Sequence, residues 1–171
     1  MGMSRSYLKP TGANSRSDPS ELRVGGEYIQ SRSVAVPSRL RTEPSHEKPL
    51  SGLRVAVKDI FHIKGVRMSV CNKAWYDLYP PPTTTAACIQ LLHHAGATVL
   101  GTTKLASFAA TEEPIECIDF PAPWNPRADG HQSPAGSSSG SGVAAAAYDW
   151  LDITIGSDSM PRSSLLADYQ D

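Results

Sequence analysis

Long hydrophobic runs are absent from this sequence of 171 residues. No apolar stretch approaches the roughly 20 residues that a membrane-spanning helix requires. The sequence also has no large excess of positive or negative charge, because its formal net charge is −1. No basic cluster indicates a nucleic-acid surface. We therefore expect neither a membrane nor a nucleic acid as partner. The length fits one domain that can bury a hydrophobic core.

Cysteine is rare, and its three copies are Cys71, Cys88 and Cys117. Their number is odd and their spacing matches no metal-ligand motif, so we expect no metal site. Reduced thiols in an intracellular, cytoplasmic protein are the simplest account. A mitochondrial presequence is the alternative, because residues 1–17 carry basic residues and no acidic ones. Proline and glycine interrupt any amphipathic helix there, which argues against it.

The first 50 residues differ from the rest in composition. They are rich in serine, arginine and proline, show no sustained hydrophobic period, and carry a net positive charge. The remainder carries a net negative charge. We predict that residues 1–50 form a disordered or loosely packed tail and that residues 51–171 form the folded domain.

A serine- and glycine-rich segment at 133–142, SPAGSSSGSG, precedes Val143 and four alanines. This pattern predicts a tight loop that leads into a helix over about 139–148. Free N–H groups beside several hydroxyls could bind an oxyanion or relay a proton. Composition alone favours a flexible linker, which is the alternative. The segment has no lysine for a phosphate loop, and all five histidines precede its central serine, which argues against a hydrolase nucleophile elbow.

A lysine follows the first apolar strand pattern of the domain. Residues 53–60, LRVAVKDI, are largely apolar and β-branched, and they predict a buried strand with Lys58 at its end. A lysine that acts as a general base must be neutral near pH 7, which requires its pKa to fall by about 3 units. The alternatives are that Lys58 pairs with Asp59 or extends into solvent.

The remaining pattern predicts an α/β fold. Residues 61–79 are mixed, and we expect a loop there with at most one short strand. Pro80, Pro81 and Pro82 end this segment, and a helix capped by Thr83 or Thr84 then runs to a left-handed Gly96. Residues 103–111 predict a further helix with Leu105 and Phe108 facing inward. Parallel strands are expected near 53–58, 97–101 and 152–156, which gives a mixed or mostly parallel sheet with flanking helices.

Four motifs stand in the order found in the amidase signature family. They are VAVKD at 55–59, GATVLGTTKL at 96–105, SPAGSS at 133–138 and GSDS at 156–159. The sequence from about 50 to 159 therefore resembles this family, and the resemblance implies a partial amidase signature core. It also implies hydrolysis of the C–N bond of a small-molecule amide through a Ser–cisSer–Lys relay. In that relay Lys58 is the base and Ser137 the cis-serine, with Ser138 as the runner-up. No metal or organic cofactor is implied.

The sequence departs from the family at the nucleophile. The family's Asp-x-Gly-Gly-Ser pattern, counted from Asp158, puts Arg162 where the nucleophilic serine belongs. Arginine is permanently protonated and cannot attack a carbonyl. Met160 and Pro161 replace the glycines of the oxyanion hole, and proline has no N–H to donate.

Ser163 is a poor substitute for the missing nucleophile, because a slip of one residue moves a side chain by roughly 3.3 Å and turns it to the other side of an extended chain. The resemblance ends after this motif, so we expect a chain truncated relative to the family and impaired or inactive as a hydrolase. The alternative is a non-catalytic amidase remnant that binds an amide ligand or associates with a longer family member.

Overall fold

The computed structural model describes residues 7–8, 29–30, 36–38, 43–111, 117–127 and 132–157. Most of the predicted tail lies outside the described residues, as do Asp158, Arg162 and Ser163. The division of the chain at residue 50 stays a prediction. Within the described ranges, no helix has the length and apolar character needed to span a membrane.

The described elements include both strands and helices. In chain order they are β1 (Tyr7–Leu8), β2 (Ile29–Gln30), β3 (Arg54–Lys58), α1 (Lys73–Leu78), α2 (Ala87–His94), β4 (Thr98–Thr103), a 3₁₀ turn (Ser107–Ala109), α3 (Ser139–Ala147) and β5 (Ile153–Ile155). The two-residue strands β1 and β2 pair with each other antiparallel. The other three strands form the sheet that carries the site.

The sheet has the strand order β4-β3-β5, and both strand pairs are parallel. The predicted α/β fold and parallel pairing are therefore confirmed, and the strand bounds agree with the predicted ones to within two residues. Helix α3 also lies where the serine-to-alanine pattern predicts it. Because β3 is central and runs parallel to both neighbours, its end is bordered by the ends of β4 and β5.

Between Arg54 and Lys58 the central strand is apolar, because helices cover both of its faces. Val55 and Val57 pack with Ile89 of α2 on one face. Ala56 packs with Ala144 of α3 on the other. Consecutive side chains of a strand point to opposite faces, so a strand buried on both sides reads as a continuous apolar run.

The predicted cap of α2 is wrong. The N-cap is Ala86, which makes no side-chain cap bond. The nearby hydroxyl of Thr85 instead accepts a hydrogen bond from Lys64 N at 2.9 Å. The predicted left-handed stop is confirmed, since Gly96 has φ +97°.

Two further segments differ from the prediction. The loop expected over 61–79 contains α1, which the Asn72 side chain caps by accepting a hydrogen bond from Trp75 N. The helix expected over 103–111 is wrong: β4 extends to Thr103 and only the 3₁₀ turn follows. Leu105 is buried as predicted, but Phe108 is 48% exposed and has a positive φ.

Candidate active site

Lys58 is the last residue of β3 and its side chain is fully buried. Its Nζ lies 2.8 Å from Ser137 Oγ, 2.9 Å from Ser157 Oγ and 3.2 Å from the carbonyl oxygen of Ser157. The alternative that Lys58 extends into solvent is therefore wrong. The amine is held inside the protein by two hydroxyls and one carbonyl.

Ser137 belongs to the loop that leads into α3. The peptide bond between Gly136 and Ser137 is cis. The carbonyl oxygen of Ser137 accepts a hydrogen bond from Ala106 N at 3.0 Å, and Gly140 N donates to the carbonyl oxygen of Lys104 at 2.9 Å. These two main-chain bonds attach the serine loop to the segment that follows β4. Ser137 and Lys58, which are 79 positions apart, are brought together in this way.

Ser138 occupies a different environment from Ser137. Its hydroxyl donates to the carbonyl oxygen of Ser157 at 2.9 Å and accepts from Ser157 N at 3.2 Å. Ser138 also stands at the N-cap of α3. The main-chain N–H and carbonyl of Ser157 thus both engage the Ser138 side chain, which ties the start of α3 to the chain that follows β5.

Ser157 is a residue of the site that the sequence prediction missed. It lies within the GSDS motif, but the motif gave it no role. Its hydroxyl and carbonyl both contact Lys58 Nζ, and its main chain binds Ser138. The order of the strands in the sheet could have identified Ser157 as a site residue. Val57 pairs with Ile155, so the residues just after β5 must lie beside the end of β3.

Asp59, next to Lys58 in the chain, is a buried carboxyl group. It accepts hydrogen bonds from Ser69 N at 2.9 Å and from Ser69 Oγ at 2.5 Å. Ser69 Oγ in turn accepts from Cys71 N at 3.1 Å. Desolvation by burial raises the pKa of Asp59 to about 6, and the hydrogen bonds from Ser69 oppose that rise. This network supports the main chain directly after Lys58.

Asp59 should make the protein less stable as the pH rises, which is the opposite of the usual effect of a carboxyl group whose pKa is lowered on folding. Its pKa is higher in the folded protein than its ordinary 3.8, so the folded state binds the proton more tightly. The stabilisation that this group provides is complete below about pH 4 and is lost as the pH rises through about 6. We expect the Asp59→Asn variant, relative to wild type, to gain roughly 3 kcal/mol of unfolding free energy between those limits.

Urea unfolding of both proteins across this pH range measures the difference. Asp149→Asn, at an exposed position, controls for the loss of one negative charge. Parallel stability curves for wild type and Asp59→Asn would contradict the expectation.

In the described ranges, no three His, Cys, Asp or Glu side chains cluster so as to bind an ion. The chemical capacity of the site lies in its amine and hydroxyls. An amine in hydrogen-bond contact with a serine hydroxyl can exchange a proton with it. The residues that the sequence places at the nucleophile motif, Asp158 to Ser163, are outside the described residues.

Comparison with known proteins identifies the family. A family model described as Amidase matches residues 32–159. This chain belongs to the amidase signature family. The match includes the strand that carries Lys58, the serine loop and the GSDS motif, so the resemblance stated from the sequence is confirmed.

Relatives of this amidase-family chain include plant and archaeal proteins. Amidase 1 of Oryza sativa subsp. japonica is 40% identical over 115 residues, which are 67% of this chain and 26% of the relative. A glutamyl-tRNA(Gln) amidotransferase subunit of Natronomonas pharaonis is 39% identical over 116 residues, which are 68% of this chain and 26% of that protein. The chain thus spans about a quarter of the length of these relatives.

A solved structure agrees with the fold. It is a vestigial protein complex that bears on the evolutionary origins of an s-triazine catabolic enzyme. The match has a TM-score of 0.59 at 34% sequence identity, and it covers 67% of this chain and 24% of that one. This chain therefore shares its α/β fold with part of that solved structure.

Proposed function

We propose that this chain carries the proton-relay part of an amide-hydrolysing site. Lys58 is the base and Ser137 is the relay between that base and a nucleophilic hydroxyl. One observation supports this assignment above the others: the fully buried Nζ of Lys58 lies 2.8 Å from Ser137 Oγ. That distance is within the range over which general bases take protons.

The relay would work in two directions. The neutral amine takes the proton of Ser137 Oγ while that oxygen takes the proton of the nucleophile as it attacks the amide carbonyl. The same groups then return a proton to the departing amine. Burial favours the neutral form of an amine, which the first step needs. Ser157, which contacts Nζ through its hydroxyl and carbonyl, orients the amine toward Ser137.

The hydrolytic step is impaired in this proposal. Arg162 stands at the nucleophile position and Pro161 removes an N–H from the expected oxyanion hole. Loss of one oxyanion donor alone costs about 3–4 kcal/mol of transition-state stabilisation. A binding role follows as the second candidate: an amidase remnant that holds a small-molecule amide or associates with a longer family member. The relationship to a protein named as an amidotransferase subunit supports association.

Restoring the family motif tests the proposal. We expect the variant with Met160→Gly, Pro161→Gly and Arg162→Ser to react with a fluorophosphonate probe, which transfers its phosphonyl group to an activated serine and releases fluoride. The unaltered chain should react at least about a hundredfold more slowly, because it lacks the nucleophile. Mass spectrometry of the labelled peptide locates the modified residue.

The control for this experiment keeps the arginine. A variant with Met160→Gly and Pro161→Gly alone restores the backbone donors without the hydroxyl and should stay unlabelled. If the triple variant folds, as judged by circular dichroism, and remains as unreactive as the double variant, the hydrolase proposal is wrong and the binding role takes its place.

The choice between Ser137 and Ser138 gives a separate prediction. In the triple variant, Ser137→Ala should lower the labelling rate about a hundredfold or more, because the relay loses its hydroxyl. Ser138→Ala should lower that rate less than about tenfold and should instead cost about 1–2 kcal/mol of unfolding free energy, since two bonds to the Ser157 main chain are lost. Labelling kinetics and urea unfolding measure the two effects. A larger rate loss for Ser138→Ala would make Ser138 the relay.

A further inference from the structure

Two cysteine sulfurs bind the same short segment after β4. Cys71 Sγ accepts a hydrogen bond from Leu105 N at 3.4 Å. Cys117 Sγ accepts one from Ser107 N at 3.2 Å. The two donors are two residues apart, so no more than about 7 Å separates them. The intervening residue, Ala106, donates its N–H to the carbonyl oxygen of Ser137.

The two thiols differ in access. Cys71 is 2% exposed, whereas Cys117 is partly exposed. Desolvation raises the pKa of the Cys71 thiol to about 11, and negative charge on Asp59 or Cys117 contributes to that rise. Because Cys117 is partly exposed, a small oxidant can reach it, whereas burial shields Cys71 from solvent.

We propose that Cys117 and Cys71 form a dithiol site that hydrogen peroxide oxidises to a reversible disulfide. The Cys117 thiolate attacks one peroxide oxygen, which yields a sulfenic acid and releases hydroxide. Cys71 then loses its proton and attacks the Cys117 sulfur, and the sulfenic oxygen leaves as water. In total, two thiols and one hydrogen peroxide molecule are converted into one disulfide and two water molecules. Disulfides of this kind in reducing compartments are typically transient.

The disulfide would act on the segment that holds Ser137. A sulfur–sulfur bond of about 2.05 Å requires the two sulfurs to move together, and we expect that movement to lengthen their hydrogen bonds from Leu105 N and Ser107 N. Both outer bonds of the 105–107 segment are then weakened, and Ala106 between them is the residue whose N–H binds the Ser137 carbonyl. Oxidation therefore loosens the placement of Ser137 against Lys58. This consequence rests on the proposed function, whereas formation of the disulfide does not.

Peptide mapping tests the disulfide. The full chain carries Cys88→Ser, because Cys88 is exposed and would form bonds between molecules. After treatment with hydrogen peroxide, alkylation of free thiols and digestion without reductant, we expect a cross-linked peptide pair containing Cys71 and Cys117, which reductant separates. Cys117→Ser should abolish the pair. The same treatment in urea should give far less of it, because unfolding removes the hydrogen bonds that place both sulfurs beside the 105–107 segment.

One result would contradict the proposed dithiol site. In that result, peroxide oxidises Cys117 of the folded protein to the sulfinic acid while Cys71 remains a free thiol. A dimedone trap for sulfenic acid supplies a second measurement, since it should capture Cys117 when added with the peroxide. Failure to trap Cys117 in folded protein, with Cys71 modified first, equally contradicts the proposed order.

A separate experiment tests the effect of the disulfide on Ser137. In the motif-restored variant, peroxide should lower fluorophosphonate labelling about tenfold, a typical coupling between two sites, and reductant should restore it. Adding Cys117→Ser should remove the sensitivity. If the disulfide forms but labelling is unchanged, the coupling is wrong and the disulfide stands. If no variant labels at all, the hydrolase proposal fails and peptide mapping still decides the disulfide.

Discussion

Replacing Lys58 by methionine is expected to lower fluorophosphonate labelling of the motif-restored variant at least about a hundredfold, the usual scale for a general base. Methionine has nearly the length of the lysine stem and fills the same buried space. It removes only the amine that lies against Ser137 and Ser157. The serine nucleophile then has no group to receive its proton through Ser137.

The labelling rate at several probe concentrations measures this effect, and thermal melting by circular dichroism checks that the variant folds. Lys64→Met is the matched control, because Lys64 is an exposed lysine near the same strand and its main-chain N–H, not its amine, binds Thr85. Its labelling rate should be unchanged. A folded Lys58→Met variant that labels as fast as its parent would remove Lys58 from the mechanism.

How far the sequence predicts this fold depends on how local each signal is. The apolar run before Lys58 and the alanine run after the serine loop are strong local patterns, and both elements were predicted to within a residue or two. Helix α1 was missed because it buries no residue and has no apolar period. It depends on the Asn72 cap and on a bond from Lys73 N to Asp119 Oδ2, 46 positions away.

The helix wrongly predicted over 103–111 illustrates the competing effect of tertiary contacts. Its composition suits a helix, but successive N–H groups there bind other segments: Leu105 N binds Cys71, Ala106 N binds Ser137 and Ser107 N binds Cys117. Intrinsic helix propensity amounts to less than about 1 kcal/mol per residue. Such a preference is easily overridden where the chain must hold the serine loop.

The site itself required the family resemblance. No period or local propensity connects Lys58 with Ser137, and composition alone favoured a linker for the serine-rich segment. The resemblance named both residues, and the structure brings them into contact. Ser157 was within a quoted motif but without a role, because its contact with Lys58 arises only when β5 pairs beside β3. A set of motifs does not state the order of the strands in the sheet. That order is the information that was needed to assign Ser157 to the site.

The close approach of α3 to β4 leads to the largest expected effect on stability. A Cβ atom at Gly140 would come within 2.6 Å of the carbonyl oxygen of Lys104 and 2.9 Å of its Cα. Those atoms are backbone and cannot rotate away. Gly140→Ala should therefore cost about 3 kcal/mol of unfolding free energy or more, the upper range for overpacking a buried position. Urea unfolding measures this cost.

Gly142, two residues further along α3, supplies the matched control. A Cβ there meets no atom within 4 Å, and alanine is favoured over glycine in a helix by about 0.8–1 kcal/mol. Gly142→Ala should thus stabilise the protein, so one chemical change at two neighbouring glycines should have opposite signs. Because Gly140 N also binds the Lys104 carbonyl beside the serine loop, Gly140→Ala should in addition lower labelling of the motif-restored variant. Equal stability of the two alanine variants would mean that α3 does not contact the end of β4, and the positions assigned to Ser137 and Lys58 would fail with that contact.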